Sequence, residues 1–138
     1  MNIVGIGTDV IECLRIAQLI ERHHELFLTR VYTRREIEYC SARKMATQHY
    51  AARWAAKEAV LKSLGTGWSQ GIQWTDIEVL ANEGGQPRVC LTGAALRISQ
   101  QMGIDEVLIS LAHCRTHATA FAMSVRHPVG SDEGADAE

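Results

Sequence analysis

An aspartate leaving a glycine-punctuated apolar run and, about fifty residues later, a glutamate flanked by lysines are the side chains most able to do chemistry here. The first block reads Gly5-Ile6-Gly7-Thr8-Asp9-Val10-Ile11-Glu12. The second reads Arg53-Trp54-Ala55-Ala56-Lys57-Glu58-Ala59-Val60-Leu61-Lys62 and runs on through Ser63-Leu64 into Gly65-Thr66-Gly67. Carboxylates such as Asp9, Glu12 and Glu58 are able to hold a hard divalent cation. Lysines such as Lys62 neutralise phosphate oxygens, and a Gly-Thr-Gly turn can aim backbone amides at an anion. Handling a phosphate ester requires all three.

Local patterns suggest the elements that must position these groups. Residues Ile3 to Gly7 read as a short buried strand, whose glycines let a ligand or another backbone approach closely. From Asp9 to about Phe27, apolar residues at Ile11, Leu14, Leu19 and Ile20 recur with helical spacing. Thr33-Arg34-Arg35-Glu36 fits a capping box opening a shorter helix. The segment from Met45 to Leu64 carries six alanines and no proline, so a long helix is expected, with Gly65 as its stop. Beyond it, Thr75 to Leu80 and Arg88 to Leu91 read as a hairpin around Asn82-Glu83-Gly84-Gly85-Gln86-Pro87. Thr92 is a candidate N-cap for a helix from Gly93 to Met102, and strands are expected at Glu106 to Ala112 and Ala118 to Val125. Helices grouped early and strands mostly late predict an α+β fold, an antiparallel sheet packed on a long helix and shorter ones.

Composition narrows the class. The chain has 138 residues, 46% hydrophobic and 22% charged, as expected for one soluble globular domain over residues 1–127. No apolar run is long enough to span a membrane, and the N-terminus lacks a signal-peptide pattern, so a cytoplasmic protein is expected. Cys13, Cys40, Cys90 and Cys114 are scattered without a CxxC pair and read as free thiols. Asp132, Glu133, Asp136 and Glu138 concentrate acid in a tail, residues 128–138, expected to be disordered. Without those four, 14 basic residues face 12 acidic ones, a balance of about +2. That suits an anionic ligand or an acidic partner, and is too dispersed to argue for nucleic acid.

Each motif also has a plainer explanation. Asp9 and Glu12, at i and i+3, would share the first turn of a helix, where acids are favoured by capping and the dipole; alone, Asp9 reads best as an N-cap. Glu58 and Lys62, at i and i+4, could form an ordinary surface ion pair. The alanines around Glu58 favour a tightly packed helix instead. Gly65-Thr66-Gly67 could be only a helix stop. His113 and His117 lack the further ligands of a zinc site. Arg15, Leu19 and Arg22 make one helical stripe, either a solvated face or a basic surface with an apolar centre for an acidic helix.

The ordered set, however, resembles the holo-[acyl-carrier-protein] synthase family, the small bacterial 4′-phosphopantetheinyl transferases. The Gly-Ile-Gly-Thr-Asp-Val-Ile-Glu block, the Arg-Trp-Ala-Ala-Lys-Glu-Ala-Val-Leu-Lys block and the following Gly-Thr-Gly are similar to its two signatures. Gly85-Gln86-Pro87 and Ser110-Leu111-Ala112-His113 look like its later landmarks. The resemblance covers the chain to about Val125. It implies a 4′-phosphopantetheinyl transferase-like fold and transfer of phosphopantetheine from coenzyme A to a serine of an acyl carrier protein, as in fatty-acid biosynthesis. It further implies Mg2+ on Asp9 and Glu58, and Lys62 on phosphate charge. Gly65, Thr66 and Gly67 would shape the nucleotide pocket, and Arg53 and His113 would meet the 3′-phosphate or pyrophosphate. The resemblance also implies a homotrimer with active sites between subunits. His113 and the Gln86-Pro87 turn would then serve a neighbour, and Arg15, Leu19 and Arg22 would receive the carrier protein.

Three positions depart from the family pattern: Trp54 for a usual phenylalanine, Gln86 for a frequent basic residue and Ala112 for a common hydroxyl residue. The competing readings are a non-catalytic coenzyme A or nucleotide-binding module, and a trimeric protein that holds an acidic partner. Both carboxylates together with Lys62 favour the enzyme, because a pure binder has less need of a metal site.

Overall fold

A computed structural model describes residues 1–128; the acidic tail lies outside them apart from Pro128. The first strand, β1 (Asn2–Glu12), is followed by α1 (Cys13–His23), α2 (Glu25–Val31), α3 (Arg34–Ser41) and the long α4 (Ala46–Leu64). A 3-10 turn (Trp74–Asp76) leads into the hairpin β2 (Ile77–Ala81) and β3 (Pro87–Leu91). The chain continues through α5 (Gly93–Gln101) to β4 (Glu106–His113) and β5 (His117–Arg126). The strands form an antiparallel sheet ordered β1-β5-β4 and a separate β2-β3 ribbon. This is the α+β arrangement expected from the sequence.

The sheet lies against α4 because its inner face is made of very small side chains. Gly5, Gly7, Ala118, Ala120, Ala122 and Ser124 occupy that face. Ala55, Ala56, Ala59 and Ser63 answer from the helix, all buried. A Cβ at Gly5 would collide with the carbonyl oxygen of Ser63, and one at Gly7 with that of Ala59. The backbone that the glycines admit is therefore α4 itself. Gly65, at φ +75°, closes the helix in the left-handed conformation, its amide donating to the carbonyls of Leu61 and Lys62.

A buried ion pair ties the other elements to this layer. Glu36 and Lys57 are both 0% exposed and 2.8 Å apart. Lys57 Nζ also donates to the carbonyls of Trp74 and Ile77, at 3.1 and 2.6 Å. Glu36 closes the expected capping box with Thr33 and accepts from the Val79 amide. Every donor on the ammonium is thus satisfied, which is what a buried charge requires. Burial pushes the Lys57 ammonium below the usual lysine range, and the Glu36 carboxylate works against that shift.

The N-terminal region differs most from expectation. The first strand is not short and buried. It runs eleven residues to Glu12, pairs along β5 from Asn2↔Arg126 to Glu12↔His117, and leaves one face exposed. Asp9 is therefore a strand residue and not a helix cap. In a strand, positions three apart point to opposite faces, so Asp9 and Glu12 do not share one. The β-branched Val10 and Ile11 suit the ladder, which wins over the helical spacing downstream. The helix expected to Phe27 breaks at His24 (φ 49°) into α1 and α2. Leu14, one of the helically spaced apolar residues, is 63% exposed. Thr92 stands at the start of α5, but its side chain makes no capping hydrogen bond.

Candidate active site

The close contact of β1 with α4 brings the two chemical blocks together. Lys62 Nζ lies 3.3 Å from Asp9 Oδ1 and donates to the Thr8 carbonyl at 2.8 Å. Lys62 thus pairs with Asp9 across the two elements, and the i,i+4 pair with Glu58 is not formed. Asp9 and Glu58 line one open cleft of about 670 Å3 with Glu12, Arg15, Gln18, Trp54 and His117. Glu58 is half-buried, between the buried Lys57 and Ala59. Its Oε1 accepts the Trp68 indole N–H at 3.2 Å.

Among the described residues no three His, Cys, Asp or Glu side chains gather to hold a metal by themselves. Asp9 and Glu58 on one cleft instead fit magnesium, which takes one or two carboxylates and fills its shell with water and substrate phosphates. The protein supplies two anionic oxygens and an adjacent ammonium. A phosphate-bearing substrate would complete the set.

The glycine loop follows directly. Gly65 and Gly67 both take left-handed conformations (φ +75° and +58°), and an added Cβ at either would meet nothing within 4 Å. Ser69 Oγ donates to the Thr66 carbonyl at 2.7 Å, bracing the turn. The loop meets Glu58 through Trp68, whose ring lies on Trp74 with centroids 3.9 Å apart. Trp74 packs in turn on Trp54 at 4.3 Å. Only the presence of three tryptophans was visible beforehand; their stacking requires the turn geometry.

Arg53 and His113 fall in a second group. The Arg53 guanidinium lies 4.2 Å over the Tyr39 ring, and Arg43 lies 3.4 Å from the same ring centroid. His49 meets Tyr39 edge-on and His113 at 5.2 Å, while His113 Nδ1 is 2.8 Å from Gln48 Oε1. Arg53 is buried, and its Nε has no hydrogen-bond partner among the described residues. Neither arginine has a carboxylate partner there either. Desolvation first, then the charges of His113, Arg53 and Arg43, lower the His49 pKa from its usual value. A cationic cluster with an orphaned buried donor can take an anion such as phosphate. Sequence reasoning named Arg53 and His113 here and missed Arg43 and His49.

The two groups do not face one another within a chain. Arg53 and Glu58 are five residues apart on α4, about 140° around its axis. Pro87 opens β3 on the hairpin, beside another open cleft of about 870 Å3 that also borders β4. Arg15 and Arg22 are exposed on α1, with Leu19 half-buried between them and packed on the core. Two further leucines, Leu14 on α1 and Leu26 on α2, are also exposed, Leu26 at 78%; Leu26 carries no signal in the sequence pattern.

Comparison with known proteins places this fold in a family. A family model described as the 4′-phosphopantetheinyl transferase superfamily matches residues 5–122. A holo-[acyl-carrier-protein] synthase of Protochlamydia amoebophila is 47% identical over 120 residues, 87% of this chain and 96% of that protein. The holo-[acyl-carrier-protein] synthase of Neisseria meningitidis superposes with a TM-score of 0.84 at 27% identity, covering 91% of this chain and 100% of the other. A Bacillus anthracis holo-(acyl-carrier-protein) synthase in complex with CoA (3′,5′-ADP) gives 0.75 at 30% identity, covering 91% and 98%. With its two carboxylates and lysine gathered on the same fold, the chain belongs to the 4′-phosphopantetheinyl transferase superfamily.

Proposed function

We propose that the protein is a holo-[acyl-carrier-protein] synthase. It transfers 4′-phosphopantetheine from coenzyme A to a serine hydroxyl of an apo-acyl carrier protein and releases adenosine 3′,5′-bisphosphate. One observation carries the reading: Asp9 and Glu58, from separate elements, line one cleft, with Lys62 held on Asp9.

Asp9 and Glu58 would hold Mg2+, which when bound neutralises charge on the attacked phosphodiester. Lys62, fixed by Asp9 and the Thr8 carbonyl, places a positive charge where the phosphoryl oxygens gain negative charge. Glu58 keeps an oxygen free of the Trp68 bond and can take the serine proton, directly or through a water. The turn at Gly65, Thr66 and Gly67 borders the nucleotide. Arg53 and His113 bind its 3′-phosphate or pyrophosphate, with Pro87 on the hairpin bordering coenzyme A. Arg15, Leu19 and Arg22, extended by Leu14 and Leu26, form a basic surface with apolar centres that suits an acidic carrier protein.

The active unit in this reading is the homotrimer that the family resemblance implies; within one chain the Arg53–His113 group and the Asp9–Glu58 cleft lie on different faces of α4. A shared site between subunits would join them. The cytoplasm is the proposed compartment, in keeping with four free cysteines and no described helix long and apolar enough to cross a membrane.

The deciding experiment is the intact mass of an apo-acyl carrier protein after incubation with this protein, coenzyme A and Mg2+. A gain of one phosphopantetheine that EDTA abolishes is expected. Coenzyme A binding without any gain across several carrier proteins would instead favour a binding module.

A further inference from the structure

We infer that Trp68 is a positioning residue for Glu58, setting which carboxylate oxygen faces the reaction. This rests on the reading of Glu58 as a metal-holding carboxylate. The indole Nε1–H donates to Glu58 Oε1 at 3.2 Å. A carboxylate bonded on one oxygen loses rotational freedom and presents the other. Magnesium demands near-octahedral geometry, so a single, oriented oxygen suits it better than a rotating pair.

The indole is itself held by Trp74, which is anchored in two ways. Its ring lies 3.9 Å from the Trp74 ring, which continues through Trp54 at 4.3 Å to Phe27 at 6.0 Å. Independently, the Trp74 carbonyl accepts from the buried Lys57 ammonium, which Glu36 anchors. Lys57 and Glu58 are adjacent on α4. Lys57 fixes the backbone that carries Trp74, Trp74 supports Trp68, and Trp68 returns to Glu58. The path leaves the helix and closes on its neighbouring residue, so the hydrogen bond to the carboxylate depends on how the loop after Gly65 is held. Ring packing alone would be met by phenylalanine. Only the N–H requires tryptophan at this position.

The test uses full-length wild type, Trp68→Phe and Glu58→Gln, with Mn2+ titrated in the presence of coenzyme A and free Mn2+ read by electron paramagnetic resonance. Partners of ligating side chains typically contribute 10–100-fold to metal affinity. Trp68→Phe should therefore weaken Mn2+ binding about tenfold while coenzyme A affinity in EDTA and the melting temperature change little. Its lost turnover should return at high Mn2+, appearing in the metal activation constant and not in kcat. Wild-type Mn2+ affinity in Trp68→Phe, alongside loss of binding in Glu58→Gln, would overturn the role of Trp68 and leave the transferase site standing. Undiminished binding in Glu58→Gln would remove the metal reading itself, and this inference with it. Should Trp68→Phe not fold, the assigned Trp68 indole N–H resonance of the wild type gives an independent answer. It should shift on adding Mg2+ with coenzyme A and be displaced in Glu58→Gln; silence in both comparisons overturns the proposal.

Discussion

At the scale of single residues, the chemistry turns on charges whose partners come from elsewhere in the chain. Lys62 is 53 residues from Asp9 in sequence yet within ion-pair distance of it. The proposed reaction needs its charge where phosphate oxygens become more negative. Lys62→Met should then lower kcat/KM by roughly 10²-fold, about 2.7 kcal/mol, in a steady-state assay with saturating metal. An effect within twofold would remove Lys62 from the reaction. His49 gives a second prediction with a definite sign. Its folded pKa lies below the usual histidine value of 6.5, chiefly through desolvation, so its contribution to stability is complete above that pH and lost as pH falls through the folded value. A phosphate bound among Arg43, Arg53, His49 and His113 would reverse the shift and favour imidazolium. Binding of 3′,5′-ADP at about pH 6 should take up more protons in the wild type than in His49→Gln, the difference isolating the imidazole from the phosphates' own titration; calorimetry in buffers of different ionisation enthalpy reads it, and equal proton counts in the two proteins would remove His49 from the phosphate site. Asp9, Glu58 and Lys62 were legible as residue types at suggestive positions. Lys57 was not: flanked by alanine and glutamate it looks like part of the chemistry. Its role as a buried tie appears only with Glu36, 21 residues away, beside it.

At the scale of elements, the arrangement depends on how closely β1 can lie on α4. The long helix, its glycine stop, the capping box at Thr33 and the hairpin were all readable, because local spacing and turn chemistry specify them. The mistaken helix start at Asp9 has a different origin. Whether Thr8 to Glu12 is strand or helix depends on β5, more than a hundred residues later, and no local pattern reports a partner that distant. The same pairing makes Gly7 sensitive. A Cβ there meets the Ala59 carbonyl, so Gly7→Ala must push strand and helix apart or distort one of them. Overpacking of this kind costs about 1–3 kcal/mol, and here it also separates Asp9 from Lys62. Chemical denaturation should show that loss, with transfer activity falling further than stability explains. A Gly7→Ala protein of wild-type stability and activity would mean the sheet and helix can yield without moving the site. For the buried pair, Lys57→Met should cost about 3–5 kcal/mol, since Glu36 is left charged and enclosed. Glu36→Leu added to it should recover only part, because Thr33 and Val79 then lose their acceptor.

At the scale of the molecule, the face of the sheet turned away from α4 is the feature a single chain explains least well. Register places Ile6, Met123 and Leu108 in one row across β1, β5 and β4, and Thr8, Phe121 and Ser110 in the next. Ile6 is 60% exposed, Val10 62% and Leu108 43%. A sheet face carrying this many exposed apolar side chains is a liability in a monomer and ordinary in an interface. Part of it forms a depression that reaches Asp9 and Lys62. Copies of the chain packed on this face would therefore stand next to the candidate site, as a trimer with shared sites requires. The individual residues gave no such signal in sequence, because an apolar position bound for an interface looks like one bound for the core. Ile6→Asp should test the point without touching the carboxylates. The substitution adds a charge at a position already open to water in one chain, so the fold should hold, while in a trimer that charge would be buried without a partner. Sedimentation should show the wild type at three times the 15.3 kDa chain mass and Ile6→Asp at one, with transfer activity lost in parallel. A folded, monomeric and fully active Ile6→Asp would show that one chain completes the site alone, and Arg53 and His113 would then need a role away from the reacting phosphate.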